Sequence, residues 1–279
     1  YGIDIARFYP EQKQDDYVFG RCGEIAKKVY TPAVHPREPF ETGRQLFKSP
    51  FYEREAALGG YFMEAAGWER AHGYAANEPT LLAKYRDQIP QRMHEWDSRH
   101  FWEVSNAEQL ALSDDVGMVN LSHFAIYDID GPSAEHLLEY LAVARVGGAT
   151  QVGKGVYTHF LDEKGGIRAD LTIVRLSEDC FRVICGGGTG HRDLVWIKQM
   201  AAVRNADIEI HNRTHQLATL GLWGPNARKV LASLVDDPNA VSDAKFPFAT
   251  AANIEIAGIN IWAFRISYVG ELGWELYFD

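Results

Sequence analysis

Gly131-Pro132-Ser133-Ala134-Glu135-His136-Leu137-Leu138 and Gly224-Pro225-Asn226-Ala227-Arg228-Lys229-Val230-Leu231 are two copies of one pattern, Gly-Pro-x-Ala-x-x-x-Leu. Each follows a strand-like run, residues 123–130 in the first copy and 220–223 in the second. Proline at the first helical position forfeits no hydrogen bond. Each copy therefore predicts strand, turn and helix. Ala134, Leu137, Leu138 and Leu141 should face inward from the first helix, and Ala227, Val230, Leu231 and Leu234 from the second. The repetition predicts an α+β fold of two related strand–turn–helix halves.

Working outward, residues 156–161 read as a strand, Asp162-Glu163-Lys164-Gly165-Gly166 as a turn, and 167–176 as the returning strand. Ile167, Ala169, Leu171 and Ile173 alternate to one face, which puts Asp170 on the other with Arg168 and Thr172. A third strand over 180–185 leads through Gly186-Gly187-Gly188-Thr189-Gly190 into a helix from about residue 191 to 203. This α+β part is assigned to residues 95–279. Residues 1–94 form a smaller, mostly helical or irregular connecting region. In it, Asp15 and Asp16 open a helix running to Tyr30, and Pro32, Pro36 and Pro39 break the pattern. Ser49-Pro50 opens a second helix carrying Tyr52, Ala56, Leu58, Tyr61 and Phe62, which Gly67-Trp68-Glu69-Arg70 ends. Residues 71–94 read as a polar connecting segment. The chain opens at Tyr1 and stops at Asp279 directly after a strand-like run, so it reads as a piece of a longer polypeptide.

The 279 residues, 46% apolar and 24% charged, have the composition of a globular protein. A net charge of −10 argues against a nucleic-acid surface. No apolar run reaches the roughly 18 residues of a membrane span, and no signal-peptide pattern opens the chain. Three cysteines, Cys22, Cys180 and Cys185, lack the number and spacing of a disulfide or zinc framework, which fits a reducing compartment such as the cytosol or the mitochondrial matrix.

Chemistry concentrates in two places. In Tyr268-Val269-Gly270-Glu271-Leu272-Gly273-Trp274-Glu275, a glutamate lies between two glycines beside aromatic rings. Glycine allows close approach of a flat ligand, and a carboxylate there suits a heterocycle whose edge carries N–H donors. Asp170, just past a double glycine, could hold a cation or manage a proton near a bound amine. Tyr157 could stack on a ligand, although buried tyrosines are common in strands. The glycines at 186–190 lack the dinucleotide fingerprint and the Lys-Ser/Thr ending of a triphosphate loop, leaving Gly187 and Gly188 as points where some other flat ligand could approach the backbone. His211 and His215 have a four-residue spacing but no further ligands, so no metal site is read. His123, His136 and His159 read as surface or core fillers.

Taken together, Gly165-Gly166-Ile167-Arg168-Ala169-Asp170-Leu171, Gly224-Pro225-x-Ala-Arg228, Phe246-Pro247-Phe248 and Tyr268-x-Gly270-Glu271-x-Gly273-Trp274-Glu275 resemble the folate-binding aminomethyltransferase family, that of the glycine-cleavage T-protein. Arg7-Phe8, Arg44-x-Leu46-x-x-Ser49-Pro50-Phe51-Tyr52-Glu53-Arg54 and Gly67-Trp68-Glu69-Arg70 are similar to the connecting region of sarcosine and dimethylglycine dehydrogenases. The resemblance implies a preceding FAD-dependent domain that oxidises an N-methyl amine, and a T-protein-like domain that binds tetrahydrofolate and forms methylenetetrahydrofolate. It implies a catalytic role for Asp170 and pterin contact for Glu271, with Tyr268 and Tyr157 lining the folate site. FAD itself is expected in the preceding domain and not in this chain. Three departures stand out: Ser113 where the family has an arginine, Asn120 where it has an aspartate, and Ala71-His72-Gly73-Tyr74 after the Gly-Trp-Glu-Arg block. The alternatives are a folate-dependent O- or S-demethylase and a non-catalytic folate-binding relative.

Overall fold

The computed structural model describes residues 5–29, 39–94, 101–147 and 151–279. The chain forms two compact units, one over Phe8–Gly117 and the other over Met118–Asp279 together with the N-terminal residues up to Arg7. The functional division expected at residue 94 falls beside 95–100, outside the described residues, as do the helix end at Tyr30 and the prolines 32 and 36.

In the first unit, α1 (Asp15–Val29) carries Asp15 and Asp16 in its first turn and Lys27 and Lys28 in its last, each favourable to the helix dipole. The second helix, α2 (Tyr52–Ala57), is shorter than expected. Gly59 adopts φ +70 and ends it, and Tyr61 and Phe62 belong instead to a strand. Strands β1 (Gly60–Ala65) and β2 (Trp68–Tyr74) form a hairpin that the sequence reading missed. Its two-residue loop, Ala66-Gly67, has both φ values positive (54 and 88), the twist that suits a tight hairpin. An Asn-Gly pair would have announced it; Ala-Gly does not. The supposed connecting segment also contains α3 (Glu78–Tyr85), on which α4 (Trp102–Asp114) packs through Leu82, Tyr85 and Ala107.

Two buried carboxylates anchor the chain of residues 8–49 to this hairpin. Arg44 donates from Nε (2.8 Å) and Nη2 (2.5 Å) to Glu69, which also accepts from the Gln45 amide. Arg21 pairs with Glu64 at 2.6 Å. Phe47 exchanges backbone hydrogen bonds with Gly67 and Glu69, and its ring lies between those of Tyr9 and Trp68.

The second unit contains two five-stranded antiparallel-paired sheets with matching orders. Its strands and helices are β3 (Gly117–Asn120), β4 (Ala125–Asp130), α5 (Ala134–Leu141), β5 (Gly155–Leu161), β6 (Ile167–Arg175), β7 (Cys180–Cys185), α6 (Gly190–Val203), β8 (Glu209–Asn212), β9 (Ala218–Trp223), α7 (Ala227–Ala232), β10 (Ala251–Ile256), β11 (Ile259–Phe264) and β12 (Gly273–Phe278). One sheet runs β5-β6-β7-β4-β8, the other β10-β11-β12-β9-β3. Each is a three-strand meander followed by the strand of the Gly-Pro motif and one edge strand. The edges are exchanged: β3, which leads into β4, completes the sheet of β9, and β8, which leads into β9, completes the sheet of β4.

Equivalent side chains make both crossings. The Asn120 side-chain oxygen accepts from the Ser122 amide (3.1 Å), the Leu121 amide donates to the Thr219 carbonyl (2.9 Å), and the Ser122 hydroxyl accepts from the Thr219 amide (3.1 Å). At the second crossing, the Asn212 side-chain oxygen accepts from the Thr214 amide (3.0 Å), the Arg213 amide donates to the Ile126 carbonyl (2.8 Å), and the Thr214 hydroxyl accepts from the Ile126 amide (3.1 Å). Asn120, the family departure, keeps the acceptor oxygen that this turn needs. The Gly-Pro turns also match, with Gly131 at φ +134 and Gly224 at φ +131. A Cβ on Gly131 would lie 2.6 Å from the Asp207 carbonyl oxygen.

One face of the β4 sheet buries Tyr127, Ile129, Leu171, Ile173 and Val183 against α5 and α6. The opposite face meets the other sheet, with Ile126, Val174 and Ile184 packed on Phe264 and Tyr277. All four expected inward residues of α5 are buried. On the second copy Ala227 and Leu231 are buried, but α7 ends at Ala232 and Leu234 lies beyond it, 49% exposed. Ile167 also departs from expectation and is exposed, because the pairing shifts register between Phe160 and Leu161 beside it.

Replacing Thr214 by valine keeps its volume but strands the buried Ile126 amide. An unmade hydrogen bond of this kind costs about 1–3 kcal/mol. Urea unfolding should show that loss in Thr214→Val and very little in Thr214→Ser; equal stability of the two variants would exclude the hydroxyl as the crossing's clasp.

Candidate functional site

The pairing of β5 with β6 places His159 directly opposite Asp170 and Tyr157 opposite Thr172, all on the face that looks toward the other sheet. Diagonal neighbours in such a pair are within reach of long side chains. The Tyr157 hydroxyl donates to Asp170 Oδ2 at 2.7 Å and lies 3.4 Å from His159 Nε2, which is 3.9 Å from the same carboxylate oxygen. The hydrogen bond to Asp170 is the first cause of the raised Tyr157 pKa, followed by desolvation and by the charges of Asp170 and Tyr268. Asp170 remains largely exposed, its side chain 64% accessible. His159, read from sequence as a surface or core filler, stands beside this pair.

Tyr268, 82% exposed in the loop between β11 and β12, is near enough for its charge to act on Tyr157. Glu271 is half-buried in the same loop and makes no hydrogen bond or ion pair within the described residues. Gly270 turns the loop at φ +90. Gly273 serves the packing of the chain itself: a Cβ there would lie 2.0 Å from the Leu222 carbonyl oxygen. The loop is fixed at its base, where Trp223 Nε1 donates to the Ile266 carbonyl (2.9 Å) and Arg265 pairs with Asp243 (2.6 Å).

Glu275 is the residue that sequence reasoning passed over. It lies on β12 between Gly273 and Tyr277, on the same face of the strand as both. Its carboxyl is buried and accepts a hydrogen bond from the Tyr277 hydroxyl at 2.5 Å. Burial pushes its pKa up to about 7. Across the sheet it pairs with Phe264, whose ring occupies the space over Gly155, two residues before Tyr157 on the same strand face. Glu275 therefore lies on the face of β12 that looks toward the sheet carrying Tyr157 and Asp170. Counting strand parity back from Tyr277 would have placed it there; the glycine-flanked Glu271 drew the assignment instead.

Gly187 does not offer the backbone approach expected of it on its Cβ side. That space is filled by the His123 carbonyl oxygen, 1.9 Å from where a Cβ would stand. Gly188 is exposed, with open space where its side chain would be. A cavity of about 600 Å³ in the first unit, among Gly73, Phe101, Trp102 and Val104, contains none of these residues.

Fold and site define an α+β protein of two sheet-and-helix halves with carboxylates on the facing sheets. The family model described as the GCVT N-terminal domain matches residues 51–279, and the chain belongs to that family. Residues 1–49 match the FAD dependent oxidoreductase central domain. Among curated proteins, the 4-methylaminobutanoate oxidase (formaldehyde-forming) of Paenarthrobacter nicotinovorans is 32% identical over 276 residues, 99% of this chain and 31% of that protein. Human mitochondrial dimethylglycine dehydrogenase is 33% identical over 247 residues, 87% of this chain and 26% of that protein. The chain thus spans under a third of the length of these relatives. The glycine cleavage system aminomethyltransferase T structure from Bartonella henselae shares the fold, with a TM-score of 0.64, 22% identity, and coverage of 84% of this chain and 54% of that one.

Glu275 leaves a signature in stability. Its folded pKa, about 7, exceeds the ordinary carboxylate value of 4.5. Between these values the folded chain keeps a proton that the unfolded chain has lost, so stability falls as pH rises through the window and stays lower above it. The deficit is on the order of 2–3 kcal/mol. Glu275→Gln, which keeps an acceptor for Tyr277, should be more stable than the unchanged chain at pH 8 by about that amount, with the gain fading toward pH 4.5. Urea unfolding at the two pH values measures this, and a pH-independent difference would contradict it.

Proposed function

We propose that the second unit binds tetrahydrofolate against its facing sheets and accepts a one-carbon unit onto it, as the folate module of a dimethylglycine- or sarcosine-dehydrogenase-like enzyme. The observation that carries this reading is Glu275, a carboxylate buried on the face of β12 that looks toward the sheet of Tyr157 and Asp170. Ring N–H donors of a pterin are a chemistry that would use it, since a charge-assisted hydrogen bond to a buried acceptor contributes about 1.5–3 kcal/mol. Tyr157 and Tyr268 offer exposed aromatic faces for the flat ring system, and Glu271 a second acceptor on the loop.

Tetrahydrofolate would supply the amine nitrogens that take up the carbon. Positive charge develops on such a nitrogen as it attacks an electrophilic one-carbon donor. Asp170, exposed and oriented by the Tyr157 hydroxyl, is placed to stabilise that charge and to receive the proton released when the new C–N bond forms. The donor would be an N-methyl amine oxidised to its iminium by a flavin-bearing part of the full-length enzyme. The glycine turn at 186–190 does not fit a flavin dinucleotide, so no FAD chemistry is assigned to this chain. The printed names of the relatives, an oxidase of 4-methylaminobutanoate and a dehydrogenase of dimethylglycine, support a small N-methyl amine as the substrate. Within the division of labour read from sequence, residues 95–279 would carry folate and 1–94 would connect it to the oxidising part. No described helix is long and apolar enough to cross a membrane; of the cytosol and the mitochondrial matrix, the matrix is in line with the name of the human relative.

Calorimetric titration with tetrahydrofolate tests the reading. Binding should be saturable and weakened about tenfold or more by Glu275→Gln. Because the ligand needs the carboxylate and about 7 is the pKa to overcome, binding should weaken about tenfold from pH 8 to pH 6. Asp170→Ala should keep affinity within a few-fold while transfer from formaldehyde falls by roughly a hundredfold or more. No binding by the unchanged chain, or full affinity in Glu275→Gln, would overturn the proposal.

A further inference from the structure

The triad on β5 and β6 contains one member for which the folate reading assigns no task. His159 is held on both edges of its strand: its backbone faces Asp170 on β6, and its carbonyl accepts from the Val143 amide at 3.0 Å on the outer side. The neighbouring Thr158 hydroxyl accepts from the Ala144 amide, also at 3.0 Å. The ring packs edge-on against Tyr157, with centroids 5.2 Å apart at 74°. These contacts aim Nε2 at the point where the Tyr157 hydroxyl and Asp170 Oδ2 meet. An exposed ion pair adds little to folding, so stability does not account for grouping three titratable side chains on an open face. Among the described residues, Tyr268 from the loop is near enough for its charge to act on Tyr157, while the Arg168 guanidinium of β6 lies over the Trp196 ring.

We propose that His159 is a positioning residue that sets the charge Asp170 presents to the one-carbon acceptor. Protonated, its imidazolium stands with Nε2 3.9 Å from Asp170 Oδ2 and offsets the carboxylate's charge. Neutral, it leaves Asp170 with the Tyr157 hydrogen bond alone and its full negative charge facing the reacting amine. The only bond that changes is N–H at Nε2, and the proton is exchanged with solvent. Histidine is the side chain suited to such switching near neutral pH. The site therefore gates transfer by pH, and the inference rests on the folate reading for the reaction it gates.

Two measurements on the purified chain decide it. The first is the rate of transfer from formaldehyde to saturating tetrahydrofolate between pH 5.5 and 8.5. His159→Gln should match the unchanged chain within about twofold at pH 8.5 and exceed it about fivefold at pH 5.5, because the acid inhibition has been removed. The second needs no folate: the ring-proton NMR signal of His159, identified by its disappearance in His159→Gln, should titrate at a different pH in Asp170→Asn. Superimposed rate profiles would overturn the gating, as would a uniform loss of rate in His159→Gln at every pH. An unmoved NMR titration would overturn the coupling itself. Failure to bind tetrahydrofolate would count against the folate reading, while the NMR result would still decide whether His159 and Asp170 interact.

Discussion

The exchange of edge strands is the constraint on which the second unit depends. Neither sheet is complete from its own half, since β3 and β8 each close the sheet opposite the strand they lead into. The two crossings are short, and each is tied by an Asn side chain, a backbone amide and a buried Ser or Thr hydroxyl. Closing them presses the two sheets together over Ile126, Val174, Ile184, Phe264 and Tyr277. The same closure fixes which strand faces look at each other. Asp170 on β6 and Glu275 on β12 are set on the two facing sheets, one from each half of the sequence repeat.

The two carboxylates are kept in contrasting surroundings. Asp170 is open to solvent and oriented by a phenol, while Glu275 is enclosed and shifted toward neutrality by burial. A pair of acids separated this way can divide labour, one meeting a developing cation and the other holding a neutral hydrogen-bonding edge. Tyrosine hydroxyls attend both, Tyr157 on the exposed side and Tyr277 on the buried side. Rigid strands supply both acids, which favours precise placement over adaptability.

The parts of the fold legible in sequence were those encoded by backbone necessity and regular periodicity. The Gly-Pro turns demanded a positive φ that glycine tolerates, and the α5 pattern matched its buried face residue for residue. Asp170's face followed from alternation on β6. What escaped was set by partners distant in sequence. The β1–β2 hairpin was hidden because Ala66 occupies a position usually marked by Asn or Gly, and aromatic residues at approximately helical spacing imitated a helix. Gly187 and Gly273 looked like ligand approaches but accommodate the His123 and Leu222 carbonyls. His159 carries no motif; only the register between β5 and β6 reveals its neighbour. Glu275 was in plain view in the quoted motif, and its importance comes from burial, which a single sequence does not display.

The match of residues 1–49 to one family and 51–279 to another suggests a seam at residue 50. Packing places no seam there. Arg21 and Arg44 lie before it, and the carboxylates they neutralise, Glu64 and Glu69, lie after it, inside the hairpin. Severing the polypeptide at that junction would leave two enclosed acids without counter-ions, a far heavier penalty than losing an exposed pair. Inherited modules and folding units are therefore offset here, and Arg21 and Arg44 of the oxidoreductase-like segment belong to the same compact unit as the hairpin they neutralise.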